Sequence, residues 1–88
     1  MDKSEISILN SILKSKQDLF RNYQFDQELL KRKHDLWDIY INETYSKNDF
    51  QMDCQKEMSQ NKYMLRKLQK EIIELRNKIK KIQRNQNG

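Results

Sequence analysis

Apolar residues in the last third of the chain recur at alternating spacings of three and four, at Leu65, Leu68, Ile72, Leu75, Ile79 and Ile82. Such a row runs along one side of an α-helix and marks a coiled-coil seam, which a lone helix cannot bury. Taking positions 58, 65, 72 and 79 as heptad a and 54, 61, 68, 75 and 82 as heptad d, the seam extends back through Asn61 to Met58, ~37 Å of helix. Asn61 is its one polar member between Met58 and Ile82. It can fix register against a symmetry mate, or it simply sits where water still reaches the start of the seam. Ile at a with Leu or Ile at d suits a parallel pair of helices, in which Glu71 at g would face Arg76 at e of a second copy. The competing expectation is that the stripe packs back on an earlier helix of the same chain.

The N-terminal half supplies such a helix. Leu9, Ile12, Leu13, Leu19, Phe20, Tyr23, Leu30, Trp37 and Ile41 fall on one broad face, which predicts a helix from about 3 to 45. Asp2 with Glu5 forms a capping box at its start, and Ser4 is a competing cap. Phe25, Leu29, Leu36 and Tyr40, spaced by four, seven and four, form a second stripe roughly a third of a turn away, with Ile39 beside it. A helix that is apolar on two sides is normally buried between two neighbours, and a hairpin would leave one side over. This second stripe is the candidate partner face, because helix-in-groove recognition uses anchors at these spacings.

Between the halves, Asn42, Thr44, Ser46, Asn48 and Asp49 are cap and turn formers, and Ser46 with Asp49 makes another capping pair. The N-terminal heptad frame, with Leu9, Tyr23, Leu30 and Trp37 in one position and Leu13, Phe20 and Ile41 four residues after members of that series, runs three residues out of step with the C-terminal one. A skip of three overwinds a continuous coiled coil or marks a turn. The expected architecture is one all-α, elongated coiled-coil domain over 1–88: a two-helix hairpin with a polar hinge at about 42–49, helix two at about 49–84 and a fraying tail at 85–88. One long bent helix is the alternative, and in either case the chain is expected to self-associate or dock in a helical assembly.

Composition agrees with extended helices. The chain has no Pro, no Ala and a single Gly at position 88; 35% of residues are hydrophobic and 35% are charged, a composition on which a compact globule would be marginal and an extended helical assembly needs only one apolar stripe per helix. Its one cysteine, Cys54, rules out an internal disulfide framework or a multi-thiolate zinc site, and reads as a small core residue. No stretch approaches the ~20 apolar residues of a membrane span. No secretory or transit signal is visible, the Asn42–Thr44 sequon reads as fortuitous, and an intracellular location is expected.

Charge is uneven. Lys62 to Arg84 holds nine basic residues against Glu71 and Glu74, a net +7, and the rest of the chain carries −2, for the overall +5. Arg66, Lys67, Lys70, Lys80, Lys81 and Arg84 map to outer b, c and f positions and are the candidate anion-binding residues. They share the seam's own helix rather than preceding it, unlike a basic-zipper protein, and Tyr63 and Phe50 alone make no stacking platform. Catalytic chemistry is poorly supplied. His34 is the only histidine, with Asp38 one turn on as a surface partner, and His34, Asp35 and Asp38 do not share a face as metal ligands must. No cofactor or metal is expected. The sequence points to a non-enzymatic interaction or structural protein that acts as an oligomerisation module or small assembly subunit, with itself or a larger complex as partner. The alternative is a basic helical binder of nucleic acid or another anionic polymer.

Overall fold

Without internal Gly or Pro the chain forms two long helices, and it doubles back once. This computed structural model describes residues 2–40 and 46–87, and the side chains of residues 4–40 and 46–85. Helix α1 spans Asp2–Asp35, a short α2 spans Trp37–Tyr40, and α3 spans Lys47–Asn87. The side chain of the expected Asp2 cap lies outside the described residues, as do Ile41, the hinge residues 42–45 with the sequon, and Gly88. α1 and α3 pack as an antiparallel hairpin measuring 66 × 16 × 15 Å. Its radius of gyration is 19.4 Å, against about 12 Å for a compact domain of this length.

The element boundaries differ from the sequence expectation in three places. α1 ends at Asp35 rather than near 45, with a turn at Leu36. There the Ile39 amide bonds to the Leu36 carbonyl at 3.0 Å, a tightened three-residue step, and the His34 carbonyl accepts the Gln51 side-chain amide at 3.2 Å. Trp37, Ile39 and Tyr40 are also weaker helix formers than the Glu, Leu, Lys and Arg that precede them. α3 starts at Lys47, earlier than expected, because Ser46 caps it: its Oγ accepts the Asp49 amide at 3.2 Å and its carbonyl accepts the Phe50 amide at 3.0 Å. At the far end α3 continues to Asn87, since straight-chain Gln83, Arg84 and Gln86 favour helix and no breaker precedes Gly88.

Each long helix turns one heptad row toward the other. On α3 every seam position from Cys54 to Ile82 is buried or half-buried, with Cys54, Leu68, Ile72 and Ile79 the most enclosed. Along α1 and into the start of α2 the inner row runs 9, 13, 16, 20, 23, 27, 30, 34 and 37, again alternating four and three, and every member is buried or half-buried. Ile12 and Leu19, which the sequence placed on this face, are exposed instead. They sit one position before members of the inner row, far enough round the helix to leave the seam.

The gaps in the apolar row of α1 are Lys16, Gln27 and His34, and all three bond across to α3. Lys16 Nζ donates to Glu71 Oε2 at 2.5 Å, Gln27 Nε2 donates to the Met58 carbonyl at 3.1 Å, and His34 meets Gln51 and Gln55 at 3.2 and 3.3 Å. These rungs fix the antiparallel register at the middle and toward the turn. The Gln27 rung is incomplete, because its Oε1 is buried with no hydrogen-bond partner.

Two outcomes follow for the seam. Leu68→Ala should lower the stability of the folded chain by about 2–3 kcal/mol, whereas Ile73→Ala, at an exposed position of the same helix, should cost less than about 0.5 kcal/mol; urea unfolding followed by circular dichroism measures both, and equal costs would contradict the seam. Gln27→Leu should raise stability by on the order of 1 kcal/mol by removing the orphaned oxygen, and a fall in the unfolding midpoint would show that the Met58 bond outweighs it.

Candidate interaction surface

The inner rows use up one side of each helix and leave a second apolar side on α1. Phe25, Leu29, Leu36 and Tyr40 are all exposed, Phe25 by 66%, and Ile39 beside them by 69%. Ile8, Ile12 and Leu19 are exposed as well, and on the 3.5-residue repeat that the seam imposes they occupy the same heptad positions as Leu29 and, past the end of α1, Leu36 and Tyr40. The candidate face is therefore longer than the sequence analysis drew it, running from Ile8 to Tyr40. Its N-terminal part was legible in principle. Ile8, Ile12 and Leu19 keep a spacing of four and seven, the same signature as Leu29, Leu36 and Tyr40, but the broad first face had absorbed Ile12 and Leu19.

Beside this face, α3 presents charge rather than apolar surface. A shallow depression brings Asp26, Leu29 and Lys33 of α1 next to Glu57 and Gln60 of α3, and one and two heptads on from Gln60 the same row of α3 carries Lys67 and Glu74. On this side of the hairpin the exposed apolar row belongs to α1 and α2, whereas the exposed Met52, Tyr63 and Ile73 of α3 lie elsewhere on its surface.

The turn end is tied down by aromatic contacts. The Tyr40 and Phe50 rings stack with centroids 6.1 Å apart and planes 10° apart. Lys47 Nζ lies 4.6 Å from the centre of the Trp37 ring and Lys33 Nζ lies 5.8 Å from that of Tyr40, distances at which an ammonium is attracted by the ring face. These contacts hold α2 against the start of α3, so Leu36, Ile39 and Tyr40 occupy defined positions at the end of the apolar face.

The seam residues Met58, Asn61, Leu65, Leu68, Ile72, Leu75, Ile79 and Ile82 are brought together against α1 of the same chain. Glu71, which a parallel dimer would aim at a second copy's Arg76, is bonded by Lys16. Arg66, Lys67, Lys70, Lys80, Lys81 and Arg84 are all exposed and spread over the outer surface of α3 without converging on one point. On the opposite side from the apolar face, an open groove has Phe20, Ile72 and Ile73 at its base and Arg21 and Arg76 on its rim. His34 pairs with Asp35 rather than the expected Asp38: Nδ1 stands 3.3 Å from the Asp35 carboxylate, and the tightened step at Leu36 breaks the one-turn spacing on which the Asp38 pairing depended. With Nδ1–H donating to Asp35, Nε2 is free to accept the Gln55 amide. No group of three or more His, Cys, Asp or Glu side chains among the described residues is placed to hold a metal ion, and no described helix is long and apolar enough to cross a membrane.

Two titrating groups report on the seam. Cys54 is only 5% exposed, and burial pushes its thiol up, with the Glu57 carboxylate adding to the effect and Lys33 opposing it. The thiol therefore stays protonated and a poor nucleophile. Glu71 moves the other way: the hydrogen bond from Lys16 holds its carboxyl below the usual glutamate range, against a smaller opposing effect of burial. No protein-family model, curated protein or solved structure matches this chain.

The Glu71 shift gives an acid-side expectation. Its folded-state value lies below the unfolded one of about 4.3, so the stabilisation is present above that pH and is lost as pH falls through the lowered folded value. Glu71→Gln should flatten this part of the acid limb when unfolding midpoints are measured against pH, and an unchanged slope would remove Lys16–Glu71 as its source.

Proposed function

We propose that this chain is a non-enzymatic association module, a helical hairpin that holds itself together through one seam and offers the outer face of α1 to a protein partner. The observation that carries this reading is the row of exposed large apolar side chains from Ile8 to Tyr40, along α1 and on into α2. Exposed apolar side chains repeated along one side of a hairpin mark interaction sites, and aromatic anchors such as Phe25 and Tyr40 are enriched where binding energy concentrates. The total accessible surface points the same way: 7163 Å², against about 5,600 Å² for a compact monomer of this mass. A binding role rather than a catalytic one suits the dispersed titratable side chains, which do not converge on an enclosed cavity. A single buried, protonated thiol suits a reducing intracellular compartment.

The exposed basic residues of α3 support a second reading, a sequence-independent binder of nucleic acid or another polyanion. The two readings use different surfaces. A photoreactive side chain at position 29 or 36, in cells that make the protein, should give discrete protein adducts, and one at position 70 should give none. Adducts to nucleic acid from position 70, lost at raised salt, with none from position 29 or 36, would overturn the association module in favour of the second reading.

A further inference from the structure

We propose that the occupant of the outer α1 face is a second copy of this chain, docked antiparallel about a two-fold axis near residue 24 to give a four-helix assembly. This rests on the association reading and names its partner.

The argument is the pattern of the face itself. A two-fold antiparallel contact pairs each residue with the one equally far on the other side of the axis, so the face must read alike in both directions. It does. About residue 24, Ile8 is matched with Tyr40, Ile12 with Leu36 and Leu19 with Leu29, all apolar; Ser15 is matched with Lys33 and Asn22 with Asp26, all polar. In sequence these ten positions alternate by four and three from 8 to 40, a second heptad frame that occupies α1 up to Lys33 and continues past its end at Leu36 and Tyr40. An unrelated partner would not require the polar gaps to be symmetric.

The neighbouring row agrees. Phe25 lies beside the axis and would meet its own copy, and Asp18 and Arg32, seven residues to either side of it, would face each other with opposite charge. Asp18 is committed only loosely within the chain, to Arg21 at 4.0 Å. α3 stays at the margin of the contact, because on this side its outermost residues Glu57, Gln60, Lys67 and Glu74 are polar or charged and exposed. The contact is long enough to hold. From 8 to 40 it spans ~48 Å, and with a helix width of ~10 Å it covers on the order of 1,000 Å² over both partners, the lower bound for a specific interface.

Sedimentation equilibrium on the purified chain should give twice the 10.9 kDa of one copy. Leu19→Asp with Leu29→Asp should halve that mass and leave helicity intact, because both side chains lie outside the seam. Cysteine pairing tests the geometry separately. Phe25→Cys should form an interchain disulfide by itself, whereas Ile12→Cys should do so only when mixed with Leu36→Cys; the buried native Cys54 leaves the unmodified chain as control. A dimer that ignores the double aspartate variant, or cross-links from Ile12→Cys alone, would overturn the two-fold pairing. So would a helical monomer, and if that monomer still gave adducts to a different protein from positions 29 and 36, the association reading would stand with another occupant.

Discussion

Everything in this molecule depends on a single seam between two helices. There is no third layer, and no side chain among the described residues is completely enclosed, so α1 and α3 hold each other through one row apiece. A purely apolar seam of this kind is tolerant of sliding and of the opposite orientation. The polar members of the inner row of α1 remove that tolerance. Lys16 finds its acceptor only where Glu71 stands, Gln27 reaches the Met58 carbonyl, and His34 meets Gln51 and Gln55 only with the helices antiparallel. Gln27 does this at a cost, since one of its two polar atoms is left buried and unbonded. Polar seam residues that lower stability while fixing register are a known device of coiled coils.

The seam also explains why an apolar face is left over. α1 carries two heptad frames offset by one residue, about 100° apart, and α3 carries one, with mostly polar side chains at the positions flanking its seam. A hairpin made of two such unequal helices buries the frame they share and exposes the other. The aromatic packing of Tyr40 on Phe50 and the seating of Lys47 over Trp37 keep the exposed frame ordered to its end, despite the interruption at Leu36.

The α3 row was readable from residues alone because it is uniform: Leu and Ile at nearly every heptad position have no competing interpretation. The hairpin followed from the out-of-step frames and from the Ser46 cap, which the Ser46–Asp49 spacing announced. On α1 the reading was coarser. Its inner frame is interrupted by Lys16, Gln27 and His34, so apolar periodicity saw gaps where the structure has cross-helix bonds. With those positions missing, Ile12 and Leu19 were assigned to the nearest apolar row, and the outer face appeared to begin only at Phe25. Regular gaps in a heptad frame carry information of their own: a polar residue at a core position needs a partner on the facing helix, and Glu71, at the edge of the α3 seam, was available to Lys16. The break at Leu36 had no comparable signal, since it arises from hydrogen bonds at the turn that involve Gln51, distant in sequence.

Placing both frames on α1 would link folding to the proposed association. A hairpin alone supports α1 from one side, and its stability is limited by the few residues that the seam encloses. A partner bound as proposed would support α1 from the other side without touching the rungs that set the register, and α1 would become the central helix of that assembly. Anything that binds the folded hairpin but not the unfolded chain raises its apparent stability by mass action. The register bonds and the outer face therefore divide the work. The bonds to Glu71, Met58, Gln51 and Gln55 select the register, and coverage of the Ile8–Tyr40 face, as proposed, would add stability that the seam by itself supplies sparingly.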